Sequence, residues 1–275
     1  MLTSLLGRLY SDYVRPDRFT DYLDLLRQAR AASYRMVTVG EYRDLRLGAG
    51  LPEDGRVLIL RHDIDTCPEV CAAFALAEAA VGARASYYFR LGTADVSVMQ
   101  ALAAAGHEVG YHYEELATVA KERGVNHPDR LPEILEEARE RFAANLATLR
   151  ARTGLPLRGA ASHGDFANRA LGVGNTRVLE DRALRECTGI VLEAYDPEVE
   201  EGLALRVMDD SHPRDWVPSD PAAGIRQGLG PIRLLTHPRQ WGRKPLANGR
   251  EDAARYAEGL LFKAGLPRRQ GPAPA

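Results

Sequence analysis

The chain has 275 residues, 45% of them hydrophobic and 27% charged, a composition typical of a soluble globular protein. Its 36 basic and 38 acidic side chains leave a net charge of −2, so no basic excess favours nucleic acid or an anionic membrane as a partner. No apolar run approaches the ~20 residues of a membrane-spanning helix. With three cysteines and no secretory leader pattern at the amino terminus, we expect a reduced, cytoplasmic protein without a disulfide scaffold.

Short β-branched or aromatic runs alternate along the chain with Ala-, Leu-, Glu- and Arg-rich segments of helical spacing. The predicted helices are residues 16–32, 69–82, 95–105, 131–152 and 251–264. The predicted strands are residues 57–65, 84–90, 107–113, 157–163, 189–196, 203–209 and 231–237. Strands that alternate with helices indicate a parallel α/β fold. The polar, Gly- or Pro-containing segments 165–188 and 211–230 are predicted to be loops, long enough to cover a site.

Histidines and aspartates stand where several of the predicted strands end. The first strand ends in His62, Asp63 and Asp65, and later strands end at or next to His112, His163, Asp209 and His237. In parallel α/β folds the carboxyl ends of the strands gather at one edge, where the reactive groups usually lie. We therefore expect these side chains to share one site.

The aspartates Asp63 and Asp65 are two residues apart, so both side chains point the same way on a strand. Such a pair suits a divalent-cation site in which one carboxylate is a ligand and the other is a base that takes a proton from water. The alternative interpretation is a structural ion cluster in which Arg61 neutralises the pair.

Three histidines are candidates for metal binding or proton transfer. His112 is a candidate metal ligand because neutral imidazole suits Zn, Fe, Co or Ni, the alternative being a core histidine bonded to the backbone. His163 is followed by Gly164, which permits a tight turn that directs the imidazole toward a pocket, the alternative being a loop histidine. His237 precedes Pro238, which ends the strand there, and this position suits a general acid.

On the predicted loop after residue 211, His212 and Trp216 are candidates to line a substrate groove, with the indole as a stacking surface; a surface turn is the alternative. The chain has no G-x-S-x-G, Walker A or H-E-x-x-H motif.

Residues 57–237 resemble the polysaccharide deacetylase superfamily, the NodB-like carbohydrate esterases of family four. Residues 57–65 (VLILRHDID) and 106–113 (GHEVGYHY) are similar to the first two motifs of that family, and 234–237 (LLTH) to its last motif. Arg158, with the S-H-G turn, stands where the Arg-containing third motif is expected. The resemblance implies an α/β fold with an irregular (β/α)7 barrel over residues 56–265. A helical extension, residues 1–55, would pack on the barrel, and a flexible tail, 266–275, would follow it.

The resemblance also implies roles for individual residues. It implies Asp63 as the base and Asp65 as a metal ligand, with a swap of the two left open. It implies His237 as the acid and Arg158 as the group that holds the base in its charged form. The adjacent aspartates of the family are here separated by Ile64.

The family's second metal-binding histidine should follow His112 by four residues, where this chain has Leu116. His163 is the expected substitute, with Glu114 or Glu115 behind it. The implied cofactor is one divalent metal ion, zinc in the first place and Co, Ni, Fe or Mn as alternatives.

The function expected from these features is metal-dependent removal of an N-acetyl group from a sugar or a sugar-containing small molecule. The alternatives are a metal-dependent hydrolase of a cyclic amide or ureide, and a catalytically inactive carbohydrate-binding protein of the same fold. We expect a small-molecule or carbohydrate substrate and neither nucleic acid nor membrane as a partner; the oligomeric state stays open. The residues predicted to contact the substrate are Tyr111, Tyr113, His212 and Trp216.

Overall fold

In the computed structural model, which describes residues 2–267, nine strands form one sheet. Numbered β1 to β9 in chain order, they are Arg35–Val37, Val57–Ile64, Ser86–Phe89, Glu108–Tyr113, Gly159–Ser162, Leu192–Glu193, Leu205–Asp209, Trp216–Val217 and Ile232–Thr236. Across the sheet the order is β6-β5-β4-β3-β2-β9-β7-β8, and β1 pairs with the first half of β2. Every pairing is parallel except that of β7 with β8.

Helices connect most of the strands and cover the outer face of the sheet. Numbered α1 to α12, they are Leu2–Tyr13, Phe19–Ala31, Val39–Asp44, Cys71–Val81, Val96–Ala104, Glu115–Arg123, Pro132–Thr153, Phe166–Leu171, Arg182–Thr188, Pro197–Glu200, Pro221–Arg226 and Pro245–Lys263. The longest, α7, begins with Pro132, whose missing N–H costs nothing in the first turn, and is followed by Gly154, whose φ of +69° suits a left-handed cap. Its start and its end therefore follow directly from local sequence.

The sheet curls into an incomplete barrel. Tyr195 follows β6, yet its ring centroid lies 4.5 Å from the guanidinium carbon of Arg61 on β2 and 5.5 Å from that of Arg233 on β9. In a flat sheet, with strands ~4.8 Å apart, β6 and β2 would stand about 19 Å apart. The expected α/β barrel fold is therefore confirmed as a curled, mainly parallel sheet.

Strand β2 places two charged side chains on the inner face of the curled sheet. Its eight residues are all buried, and the first four alternate between two apolar clusters. Val57 and Ile59 face the interior, whereas Leu58 and Leu60 pack under the helices. Because side chains alternate along a strand, Arg61 and Asp63 continue the inner row toward the carboxyl end.

The structure also contains elements that the sequence pattern did not predict. These are α1, β1, α3, α6, α10 and β8, together with short helices inside the two predicted loops. The segment expected as a helical extension also supplies β1, and α3 packs against the inner apolar cluster. The strand predicted over 189–196 shortens to Leu192–Glu193. Of the predicted tail, residues 268–275 lie outside the described residues.

Candidate metal centre and active site

Three potential ligand atoms converge at the carboxyl ends of β2, β4 and β5. Asp65 Oδ1 lies 3.2 Å from His112 Nε2 and 3.0 Å from His163 Nδ1, and the two imidazole nitrogens are 3.2 Å apart. Both histidines are buried, and the Asp65 side chain is 19% exposed. The structure thus brings together the three residues that the sequence suggested as metal ligands.

The donor set fits a divalent cation. His112 Nδ1 lies 2.9 Å from the carbonyl oxygen of Ala161, its partner in the β4–β5 register, so this nitrogen donates and leaves the Nε2 lone pair free. Asp65 Oδ1 is buried without a hydrogen bond, although two imidazole nitrogens stand beside it. Two imidazoles and a carboxylate form a donor set that zinc and other first-row metals accept.

The surroundings of Asp65 also favour the charged form of its carboxylate. Burial alone would raise this pKa, but His163 and His112 outweigh burial and hold it well below its usual range. Burial would lower the pKa of His112, and the carboxylates of Asp63 and Asp65 raise it instead. The cluster therefore contains a carboxylate that is ionised at neutral pH.

His163 stands beside His112, and the position four residues after His112, where the motif resemblance leads one to expect a second histidine, is Leu116. Leu116, at the expected position, is fully buried in the outer apolar cluster on α6. The main-chain N–H of His163 donates to the carbonyl oxygen of Tyr113 at 2.9 Å, which extends the β4–β5 pairing by one residue. The turn after His163 does not use the conformational freedom that Gly164 permits, because its φ is not left-handed and an added Cβ would meet open space.

Asp63 is held by Arg61. The guanidinium Nε and Nη2 lie 2.8 and 2.7 Å from the two carboxylate oxygens, and Arg61 is fully buried. Burial would raise the pKa of Asp63, but the guanidinium outweighs it and lowers the pKa. The role expected of Arg158 is thus taken by Arg61: Arg158 is exposed and precedes β5, at the opposite end of the sheet from Asp63.

His237, directly after β9, is held by Asp209 at the end of β7. Asp209 Oδ1 lies 2.7 Å from His237 Nδ1, and Asp209 Oδ2 accepts hydrogen bonds from the main-chain N–H of His237 at 2.6 Å and from Trp241 Nε1 at 2.8 Å. Burial opposes the charged imidazole, but Asp209, with help from Asp65 and Asp63, raises the pKa of His237 to about 9. His237 is therefore an imidazolium at neutral pH, facing the aspartates of the site.

A second group of possible ligands adjoins the first, formed by Glu114, His163 and Asp165. Its carboxylates already have cationic partners: Glu114 binds Arg90 through both oxygens, at 2.7 and 2.8 Å from Nη2, and Asp165 lies 3.1 Å from Lys121 Nζ. Because these charges are neutralised, the first cluster is the better candidate for a cation.

Two of the four residues predicted to contact the substrate do not face the site. Tyr111 and Tyr113 are buried and point to the outer face of β4, since they flank the inward-facing His112. The Tyr111 hydroxyl donates to Glu115, and both rings pack on Phe142 of α7. The prediction for these tyrosines is wrong because it ignored the alternation of the strand.

The other two predicted contacts lie on the segment after β7. His212 is exposed, and its ring packs 5.0 Å from that of Tyr10 on α1. Trp216 is half-buried in β8, 5.6 Å from the ring of Trp241, which is itself buried. Neither contact tests a role in substrate binding, which stays a prediction.

No helix within residues 2–267 combines the length and the apolar character that a membrane crossing requires.

No protein-family model matches the chain, and a search of curated proteins finds no match. Among solved structures, IcaB from Ammonifex degensii is 18% identical over 66% of this chain and 79% of its own, with a TM-score of 0.47. A BA3943 mutant, described as a CE4 family pseudoenzyme with restored enzymatic activity, is 13% identical over 76% of this chain and 64% of its own, with a TM-score of 0.39. A family 4 acetyl xylan esterase from Clostridium thermocellum, in complex with a cobalt ion, is 14% identical over 76% of this chain and 93% of its own, with a TM-score of 0.32. The three structures share 13 to 18% of their residues with this chain over two thirds to three quarters of its length.

Proposed function

We propose that this protein is a metal-dependent amide hydrolase that removes an N-acetyl group from a sugar or a sugar-containing small molecule. The observation that carries the proposal is the convergence of Asp65, His112 and His163 beside two further polar pairs. One pair is Asp63 with its guanidinium partner, and the other is His237 with its carboxylate partner. A metal-ligand set, a base and an acid are the groups that metal-dependent hydrolysis of an amide uses.

The cation would be held by Asp65 Oδ1, His112 Nε2 and His163 Nδ1. When bound there, a divalent ion supplies Lewis acidity to a carbonyl oxygen and lowers the pKa of water. The carbonyl of Ala161 fixes the ring orientation of His112, as outer partners of metal-binding histidines commonly do.

Asp63 is the proposed base. Its Oδ2 lies 3.6 Å from His112 Nε2, and each of its oxygens keeps a lone pair beyond the bond to Arg61. Because the guanidinium keeps the carboxylate ionised, Oδ2 can accept a proton from water at neutral pH. Asp65, which has no such cationic partner, is the better ligand of the two.

His237 is the proposed acid. Its Nδ1 is engaged by Asp209 Oδ1, which leaves Nε2 as the nitrogen that gives a proton to the departing amine. Asp209 raises the pKa of this imidazole to about 9, so the proton is present at neutral pH. The choice of an N-acetyl sugar as substrate rests on the motif resemblance of residues 57–65 and 106–113.

The first experiment is a measurement of metal content on protein reconstituted with Zn²⁺. We expect about one ion per chain, lost in His112→Ala and His163→Ala and retained in the control His127→Ala, whose side chain is 65% exposed. A wild-type protein that binds no Zn²⁺, Co²⁺ or Ni²⁺ would contradict the proposal and favour a carbohydrate-binding protein.

The second experiment tests the base and the substrate. Asp63→Asn should retain zinc and lose the release of acetate from N-acetylated sugars. Acetate release at the wild-type rate in this variant would contradict the role of Asp63. Turnover of cyclic amides or ureides by the wild-type protein, with no release of acetate from the sugars, would contradict the proposed reaction. It would favour the alternative of a metal-dependent hydrolase of a cyclic amide or ureide.

A further inference from the structure

A pocket of about 370 Å³ adjoins the candidate metal centre on the side of His163. It lies between α6 and α12, and its lining includes Arg90, Lys121, Glu251 and Arg255. This volume is at the small end of the range for ligand sites, so it suits one sugar ring rather than a polymer. Apart from the imidazole of His163, the lining contains no aromatic ring.

The cations in this lining already have carboxylate partners. Arg90 binds Glu114 through both oxygens, and Lys121 Nζ lies 3.1 Å from both Asp165 and Glu258. The third cation, Arg255, stands 3.7 Å from Glu251 Oε1. A phosphate or carboxylate group entering the pocket would therefore compete with four carboxylates of the lining for three cations.

Glu251, on the first half of α12, has an oxygen that is not hydrogen-bonded. Its Oε2 is buried without a hydrogen bond, and the nearest cationic atom, Arg239 Nη1, lies 3.6 Å away, beyond hydrogen-bond range. Burial raises the pKa of this carboxyl, although the charges of Arg239, Arg255 and Arg90 act against the shift. The pocket thus offers an acceptor and lacks the donor that would satisfy it.

We propose that this pocket is the subsite for the sugar part of the substrate and that Glu251 Oε2 accepts a hydrogen bond from a hydroxyl or ammonium group of that ring. The inference rests on the proposed function and adds a substrate class to it: a single neutral or amino sugar, without a phosphate or carboxylate on the part that enters the pocket. Glu251 is a specificity-determining residue in this arrangement.

The test is calorimetric titration of the zinc-loaded protein with glucosamine and with glucosamine 6-phosphate, neither of which carries an acetyl group to lose. We expect glucosamine to bind at least about tenfold more tightly than its 6-phosphate, and Glu251→Gln to weaken glucosamine binding about tenfold. Glu251→Lys, which reverses the charge, should reverse the order of the two sugars. Glu186→Gln, at an exposed carboxylate on α9, is the control and should change neither affinity.

Zinc content measured on the same samples distinguishes a failure of the proposed function from a failure of the proposed subsite. Absence of zinc from the wild-type protein would overturn the proposed function. Zinc present, with glucosamine binding that is absent or insensitive to both substitutions of Glu251, would overturn the subsite alone. A wild-type preference for the 6-phosphate would also overturn it.

Discussion

Asn175 Nδ2 lies 2.6 Å from the main-chain carbonyl oxygen of His163, so a buried amide holds the turn that carries the third candidate ligand. The same amide nitrogen donates to Asn168 Oδ1 at 3.0 Å, and Asn175 Oδ1 accepts from the N–H of Ala117 at 3.0 Å. Asn175 therefore ties the turn after β5 to α6 and α8. The position of His163 as a candidate ligand is therefore set by contacts outside the candidate metal cluster.

We predict that Asn175→Asp lowers the affinity for Co²⁺ by about 10- to 100-fold, the usual effect of losing an outer partner of a metal ligand. The substitution keeps the size of the side chain but removes the donor to the His163 carbonyl. Asn126→Asp is the control, because it removes an equivalent donor to the carbonyl of Phe262, and neither residue belongs to the candidate metal cluster. Co²⁺ binding is measured by the visible absorption of the bound ion. Equal Co²⁺ affinity of the two variants would contradict the role of Asn175.

A glycine inside the motif at residues 106–113 is also expected to matter for the site. A Cβ on Gly110 would lie 2.5 Å from the Tyr88 ring and 2.6 Å from the carbonyl oxygen of Gly159, and a backbone carbonyl cannot move aside cheaply. We predict that Gly110→Ala destabilises the protein by on the order of 1–3 kcal/mol and weakens metal binding through His112, two residues further along β4. Gly164→Ala, where a Cβ meets open space, should leave the midpoint of urea unfolding nearly unchanged. Equal midpoints for the two variants would contradict this prediction.

The buried pair of Arg61 and Asp63 gives a prediction about stability. Removal of one partner leaves an uncompensated buried charge, so Arg61→Met should cost about 3–5 kcal/mol in the free energy of unfolding. The double variant Arg61→Met/Asp63→Leu removes both charges and should regain much of that loss. Urea unfolding of the metal-free proteins measures both values. A double variant no more stable than the single variant would show that the lost stability has another origin.

Much of the fold followed from the spacing of apolar residues, because long helices and buried strands repeat a pattern over many residues. The strand at 57–64 and the helix at 132–153 lie within a few residues of their predicted bounds. Shorter elements show too few repeats: β1 has three residues and β8 two. Their formation depends on the neighbouring strand and not on their own sequence.

The positions of polar residues at the ends of the predicted strands indicated which side chains meet in the site. They did not indicate which neighbouring residues bind each of these side chains. The distinction between Asp63 and Asp65 follows from Arg61, which the inner row of β2 places beside one carboxylate only. The contact of Asp209 with His237 depends on β7 lying next to β9, a strand order that a single sequence does not reveal. The same holds for Glu251, which lines the pocket next to His163 only because α12 packs beside α6 there.

The final prediction concerns the proton of His237. Asp209 raises the pKa of this imidazole to about 9, above the ~6.5 of an unfolded chain, so folding favours the charged form. The stability that the charged form contributes is fully present below about pH 6.5 and is lost as the pH rises through about 9.

Asp209→Asn should lower the pKa of His237, because it removes the carboxylate that accepts from Nδ1 and leaves the burial that disfavours charge. NMR titration of the imidazole in the metal-free protein measures the shift directly. In urea unfolding, the stability advantage of the wild type over Asp209→Asn should shrink between pH 6.5 and pH 9.5. Asp210→Asn is the matched control, since Asp210 pairs with Arg214 instead. A titration of His237 that is the same in both variants would show that Asp209 does not set the pKa of the proposed acid.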